Sequence, residues 1–208
     1  HSEDLYIDFN RQKLIPYQLS DRGPATAIGD LNGDGKEDVY CGGSRSEPSH
    51  VFLQDEDGFK ESEIEEFSKD SIKEDVVAVI GDFDNNSEND LIIGVGGADF
   101  FDGMEQQLNS HFTQKQGKFN RAGLPDSYQN ASVIAPCDVD DDGDIDLFLG
   151  NQSISNDFGN IPTSYLMENE GGNFNIVSSS GSMSREIISL QPSWFMSATS
   201  LPIENLVE

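Results

Sequence analysis

One acidic nine-residue cassette occurs three times in this chain: DLNGDGKED at residues 30–38, DFDNNSEND at 82–90 and DVDDDGDID at 138–146. A turn that recurs about every 50 to 60 residues means copies of one supersecondary unit stacked along the chain. Short apolar runs enter each cassette (25–28, 76–80, 131–134) and others leave it (39–41, 91–93, 147–149). Such β-branched and apolar runs, bounded by Gly and Asp, are strand sequences, so each cassette is predicted to close a β-hairpin. A second signal keeps step with the first: Phe52-Leu53 to Gly58-Phe59, Phe112 to Gly117 and Phe119, and Tyr165-Leu166 to Gly172 and Phe174. Gly supplies the turn of a second hairpin and the aromatic is expected to anchor its outgoing strand.

The cassettes carry a chemistry of their own. Asp or Asn at positions 1, 3 and 5 with Asp at position 9, plus an inward carbonyl at position 7, is the oxygen set that a hard divalent cation such as Ca²⁺ takes. An EF-hand begins with the same spacing but ends in Glu at position 12 between helices. Here position 12 is Cys41, Ile93 and Leu149, and the flanks are strands. Position 6 is Gly35 and Gly143 in two loops and Ser87 in the other. A non-Gly residue in a left-handed conformation costs on the order of 1 kcal/mol. With Asn rather than Asp at position 5 as well, the middle loop is expected to bind most weakly.

Two hairpins per unit make four strands, and repeated four-stranded units of this length are the signature of β-propeller blades, an all-β fold. The cassettes, the Gly-rich strand exits (Gly42-Gly43, Gly96-Gly97, Gly150) and the trailing Gly-x-Phe resemble FG-GAP/VCBS repeats, the blades of integrin α-subunit propellers. The lead-in up to Gly43 is similar to VCBS-repeat proteins related to cartilage acidic protein, and the resemblance spans about residues 6 to 177. It implies a Ca²⁺-stabilised propeller outside the cell, at the cell surface or in a bacterial periplasm, with metal holding hairpins rather than doing chemistry. Carried over by position, the implied ligands are Asp30, Asn32, Asp34, the Lys36 carbonyl and Asp38; Asp82, Asp84, Asn86, the Glu88 carbonyl and Asp90; and Asp138, Asp140, Asp142, the Asp144 carbonyl and Asp146. The expected organisation is a single propeller region: lead-in strands in 1–23, blade units 24–75, 76–130 and 131–177, and a partial blade or linker at 178–208.

Charge narrows the partners. The 12 Lys and Arg against 39 Asp and Glu give a formal charge of −27, which leaves no basic stripe for nucleic acid and no attraction to an anionic membrane. No apolar stretch has the roughly 18 residues that insertion into a bilayer needs. The reading is non-enzymatic. The chain has 3 histidines, His1, His50 and His111, and none of the nucleophile, zinc or phosphate-binding motifs. The role expected is therefore a structural or adhesion-type module that presents inter-blade loops to a protein or glycan at the cell surface. The alternative is the propeller part of a polysaccharide-active enzyme, or a carbohydrate-binding module. Cys41 and Cys137 occupy non-equivalent positions of distant units and are expected to be buried free thiols. The acidic run 61–66 reads as a loop between units, and Trp194 as a packing residue. Three units do not close a ring of four to eight blades. The chain is thus expected to be a piece of a longer protein and, when isolated, to self-associate through open blade faces.

Overall fold

The structure is a computed structural model that describes residues 7–179 apart from 11, 14, 21, 46, 99, 101 and 102. Among the described residues twelve strands form three four-stranded antiparallel sheets, each in plain sequence order. The first contains β1 (Thr26–Gly29), β2 (Asp38–Cys41), β3 (His50–Asp55) and β4 (Gly58–Ser62). The second contains β5 (Glu74–Gly81), β6 (Asp90–Gly96), β7 (Ser110–Lys115) and β8 (Lys118–Ala122). The third contains β9 (Asn130–Cys137), β10 (Asp146–Ser153), β11 (Tyr165–Glu170) and β12 (Asn173–Ser179). These are propeller blades in a partial array, as the repeats imply. Each cassette joins the first two strands of its blade, and the register pairs the residue before position 1 with position 9: Gly29 with Asp38, Gly81 with Asp90, Cys137 with Asp146.

The first strands lie side by side, β1 against β5 and β5 against β9. One core fills the gap between the first two blades, around Ala27, Leu31, Tyr40, Val51, Phe112 and Phe119. A second lies between the last two, around Phe83, Ile92, Ile134, Leu147, Met167 and Phe174. The strand-exit glycine Gly94 is a spacing device, since a Cβ there would come within 2.9 Å of the Ala131 Cβ on the next blade. Polar side chains also staple the blades. Asp75 of β5 accepts hydrogen bonds from Tyr40 Oη (2.8 Å), Ser49 Oγ (2.8 Å) and the Gly43 amide (2.9 Å), all in the first blade.

Several expectations need correction. The lead-in strands expected in 1–23 fall largely on residues outside the described ones (1–6, 11, 14 and 21), and Asp8–Asn10 is a 3₁₀ turn. The Asp8 carboxylate accepts the amides of Leu19 and Ser20 while Ile15 and Leu19 are buried, which holds this segment by capping and side-chain packing rather than by a ladder. Among the described residues the post-turn aromatic is buried where a preceding blade packs against it. Phe119 and Phe174 are buried in the two inter-blade cores, whereas Phe59, on the first blade, is 54% exposed. The acidic run 61–66 is not a loop throughout, because β4 takes in Glu61 and Ser62 and a single helical turn, α1 (Glu65–Ser68), follows. That turn buries Phe67 against Tyr40, Phe112 and Phe119. Cys41 and Cys137 are free, but both are partly exposed rather than buried. Trp194 and the rest of 180–208 lie outside the described residues. Among those described, no helix is long and apolar enough to cross a membrane.

Candidate metal centre

The three cassettes share one local architecture. Positions 4 and 6 both take left-handed backbone: Gly33 and Gly35 (φ 78° and 82°), Asn85 and Ser87 (57° and 69°), Asp141 and a glycine, Gly143 (61° and 96°). The two reversals fold the loop so that its own amides point at its own side-chain oxygens. The position-6 amide donates to the position-1 carboxylate in each loop (Gly35 to Asp30 2.7 Å, Ser87 to Asp82 2.8 Å, Gly143 to Asp138 3.2 Å). The position-7 amide donates to the position-5 oxygen (Lys36 to Asp34 2.9 Å, Glu88 to Asn86 2.7 Å, Asp144 to Asp142 2.8 Å). The position-5 amide donates to position 3 (Asp34 to Asn32 2.8 Å, Asn86 to Asp84 3.2 Å, Asp142 to Asp140 3.2 Å).

Position 9 plays a different part. Asp38, Asp90 and Asp146 are buried, and each spans two backbone amides. One oxygen accepts the position-2 amide (Leu31 2.8 Å, Phe83 3.0 Å, Val139 2.7 Å). The other accepts an amide of the third strand (Gln54 2.8 Å, Gln114 2.7 Å, Asn169 2.9 Å). This carboxylate therefore locks the loop onto the neighbouring hairpin. Position 7, assigned through its carbonyl, also works through its side chain. Glu88 accepts the Gln116 amide and Asp144 the Gly171 amide, each at 2.7 Å, tying cassette to outer turn. Lys36 has no acceptor to offer there.

Positions 1, 3 and 9 converge. Asp82, Asp84 and Asp90 each place a carboxylate oxygen within 4.8 Å of the others, and so do Asp138, Asp140 and Asp146. In the first loop Asn32 stands at position 3, so the same three positions supply two carboxylates and an amide. In the third loop the position-5 carboxylate, Asp142, is outside the triplet. The electrostatics register the crowding. Asp90 is pushed up to about 6 by burial, against the pull of the Gln114 and Phe83 amides and with Asp84 and Asp82 adding to the rise. Asp140 is raised by burial and then by Asp142 and Asp146. Asp30 goes the other way, because amides of Gly35, Gly33, Asn32 and Asp34 outweigh the effect of burial.

The donor set fits a hard cation best in the third loop. The Asp138 Oδ1 is buried without a hydrogen-bond partner, while both oxygens of Asp82 accept loop amides. A buried carboxylate oxygen left unpaired beside two further carboxylates is costly, and a divalent cation relieves that cost. Glu168 on β11, absent from the cassette pattern, stands close to the same loop: its carboxyl is raised by burial and then by Asp140, Asp146 and Asp142. No sequence signal marked it; it neighbours Asn169, whose amide reaches Asp146 only in the folded blade.

Adjacent loops also touch. Asn89 donates to the Asp30 carbonyl at 2.9 Å and Asn85 to the Asp144 carboxylate at 2.6 Å, so the cassettes form one continuous edge of the array. Residues 30–93, from the first cassette through the strand that leaves the second, match the sequence model of the FG-GAP-like repeat. No curated protein matches the chain. The match supports the FG-GAP reading of the repeats, and the three four-stranded sheets agree with it.

Proposed function

We propose that this chain is a calcium-binding propeller module of an extracellular or periplasmic protein, in which the cations hold blade hairpins and each other's loops in place. Its biological task is to present inter-blade loops rigidly to a partner at a cell surface, without catalysis. The observation that carries the reading is the convergence of Asp138, Asp140 and Asp146 around an unpartnered Asp138 oxygen, in a cassette that occurs three times. Sub-millimolar to millimolar affinity is expected, the range of extracellular modules. Up to three sites are expected, with the 82–90 loop the weakest because of Ser87 and Asn86.

Isothermal titration with Ca²⁺ and Mg²⁺ on the wild type and on Asn32→Ala, Asp84→Ala and Asp140→Ala tests this. The expected result is a Ca²⁺ preference and the loss of one site in each variant. Absence of Ca²⁺ heat in the folded wild type, or three variants that titrate like it, would sink the proposal.

A further inference from the structure

In each antiparallel blade the cassette and the outer hairpin occupy one end, and the remaining connections occupy the other. At that far end of the second blade, the connections leading into β5, from β6 to β7 and out of β8 enclose an open cleft of about 450 Å³. Its floor is a charged network built around Asp70. The Asp70 carboxylate accepts Ser110 Oγ (2.6 Å), Lys73 Nζ (3.3 Å) and the Arg121 guanidinium. Lys73 is almost fully buried and also donates to the Leu108 carbonyl and Ser110 Oγ, both at 2.9 Å. Arg121 lies over the Phe112 ring at 4.9 Å with its side chain 42% exposed. Stacked and tethered, it keeps further N–H donors beyond the two engaged by Asp70 and Ser110.

Charge and shape then select a ligand class. The cleft is lined by Lys69, Lys73 and Arg121 against Asp70, Glu105 and Asp126, so its charges balance in a chain of net −27. A polyanion gains nothing from a balanced cleft and meets the repulsion of the whole molecule. A small zwitterion needs enclosure to lose its water, and this cleft is open. The free N–H groups of Arg121 and the carboxylates of Glu105 and Asp126, beside the apolar Ile72, Leu108 and Leu124, match the hydroxyl edges and C–H faces of a sugar chain.

We propose that this cleft binds a neutral saccharide chain, with Arg121, Glu105 and Asp126 making the hydroxyl contacts and Asp70 and Lys73 positioning Arg121. The inference deepens the partner-presenting reading above by naming one partner class, and it stands on residues that no cassette supplies. The test uses the full chain in Ca²⁺ on the order of 1 mM, the upper end of the affinity range of extracellular modules, on an array of neutral and acidic glycans. The best neutral oligosaccharide is then followed by titration with wild type, Arg121→Lys, Glu105→Ala, Asp126→Ala and the control Glu56→Ala, an exposed residue of the β3–β4 turn outside cleft and cassettes. Glu105 and Asp126 are exposed, so their variants leave the fold alone.

A neutral glycan bound by wild type, weakened about tenfold or more by Glu105→Ala and by Asp126→Ala and unchanged in Glu56→Ala, is the expected result. Binding of acidic glycans only, no glycan binding by a cooperatively folded sample, or affinity indifferent to the cleft variants overturns it. Calcium titration of the same samples separates this outcome from failure of the metal reading.

Discussion

Position 9 of the cassettes is a lock before it is a ligand. Asp146 is buried and holds the Val139 and Asn169 amides, and each hydrogen bond to a charged group is worth about 1.5–3 kcal/mol. In EGTA, where metal makes no contribution, Asp146→Ala is expected to lower urea-unfolding stability by about 3 kcal/mol. The exposed Asp142→Ala is expected to cost under about 1 kcal/mol. Equal losses would mean that position 9 has no structural role of its own. Ser87 offers the opposite case. Its φ of 69° is the strained position that glycine fills in the other two loops. Ser87→Gly is therefore expected to stabilise the protein by about 0.5–1 kcal/mol, read as a higher urea midpoint at unchanged m-value.

Between elements, the decisive contact is the Asp75 staple that carries β5 against the first blade. Burial raises its carboxyl above the ordinary 3.8, and the bonds from Ser49, Gly43 and Tyr40 only partly offset this. A raised native value means the native state prefers the protonated form. That contribution to stability is full below the unfolded value near 3.8 and is lost as pH rises through the elevated native value. All three donors reach the same oxygen, Oδ2, so an amide can replace the carboxylate at one end. At pH 7, Asp75→Asn is expected to be at least as stable as wild type, with the acid-side gain abolished. Asp75→Ala, which strands three buried donors, is expected to lose about 3 kcal/mol. Thermal melts of the three proteins from pH 4 to 8 check both; an Asn variant as damaged as the Ala variant would show that the charge itself is required.

At the scale of the whole molecule, a charge of −27 opposes compaction. On the proposed reading, divalent cations at the cassettes counter it locally, and salt counters it diffusely. At free Ca²⁺ about ten times Kd, each site adds about 1.4 kcal/mol, so EGTA is expected to lower Tm by roughly 10 °C if three sites are loaded. In EGTA, raising NaCl from about 20 to 500 mM is expected to recover part of the loss by screening. With Ca²⁺ present the salt effect should be smaller. A Tm indifferent to both chelator and salt would remove self-repulsion from the account of this fold.

The repeat carried the blade order, the hairpin at each cassette and the left-handed backbone at Ser87, because turn chemistry and strand alternation are local properties that survive outside any tertiary context. The left-handed residues at position 4 were not anticipated, although Gly33, Asn85 and Asp141 are residue types that tolerate that conformation. Other features needed the third dimension. Position 9 as a lock, the side-chain role of Glu88 and Asp144, Glu168 beside the third loop and the Asp70 network all join residues from different strands, which one chain's spacing does not encode. Phe59 makes the difference plain: it carries the same motif as Phe119 and Phe174, yet it stays in solvent, because burial depends on which blade stands opposite and not on the residue alone.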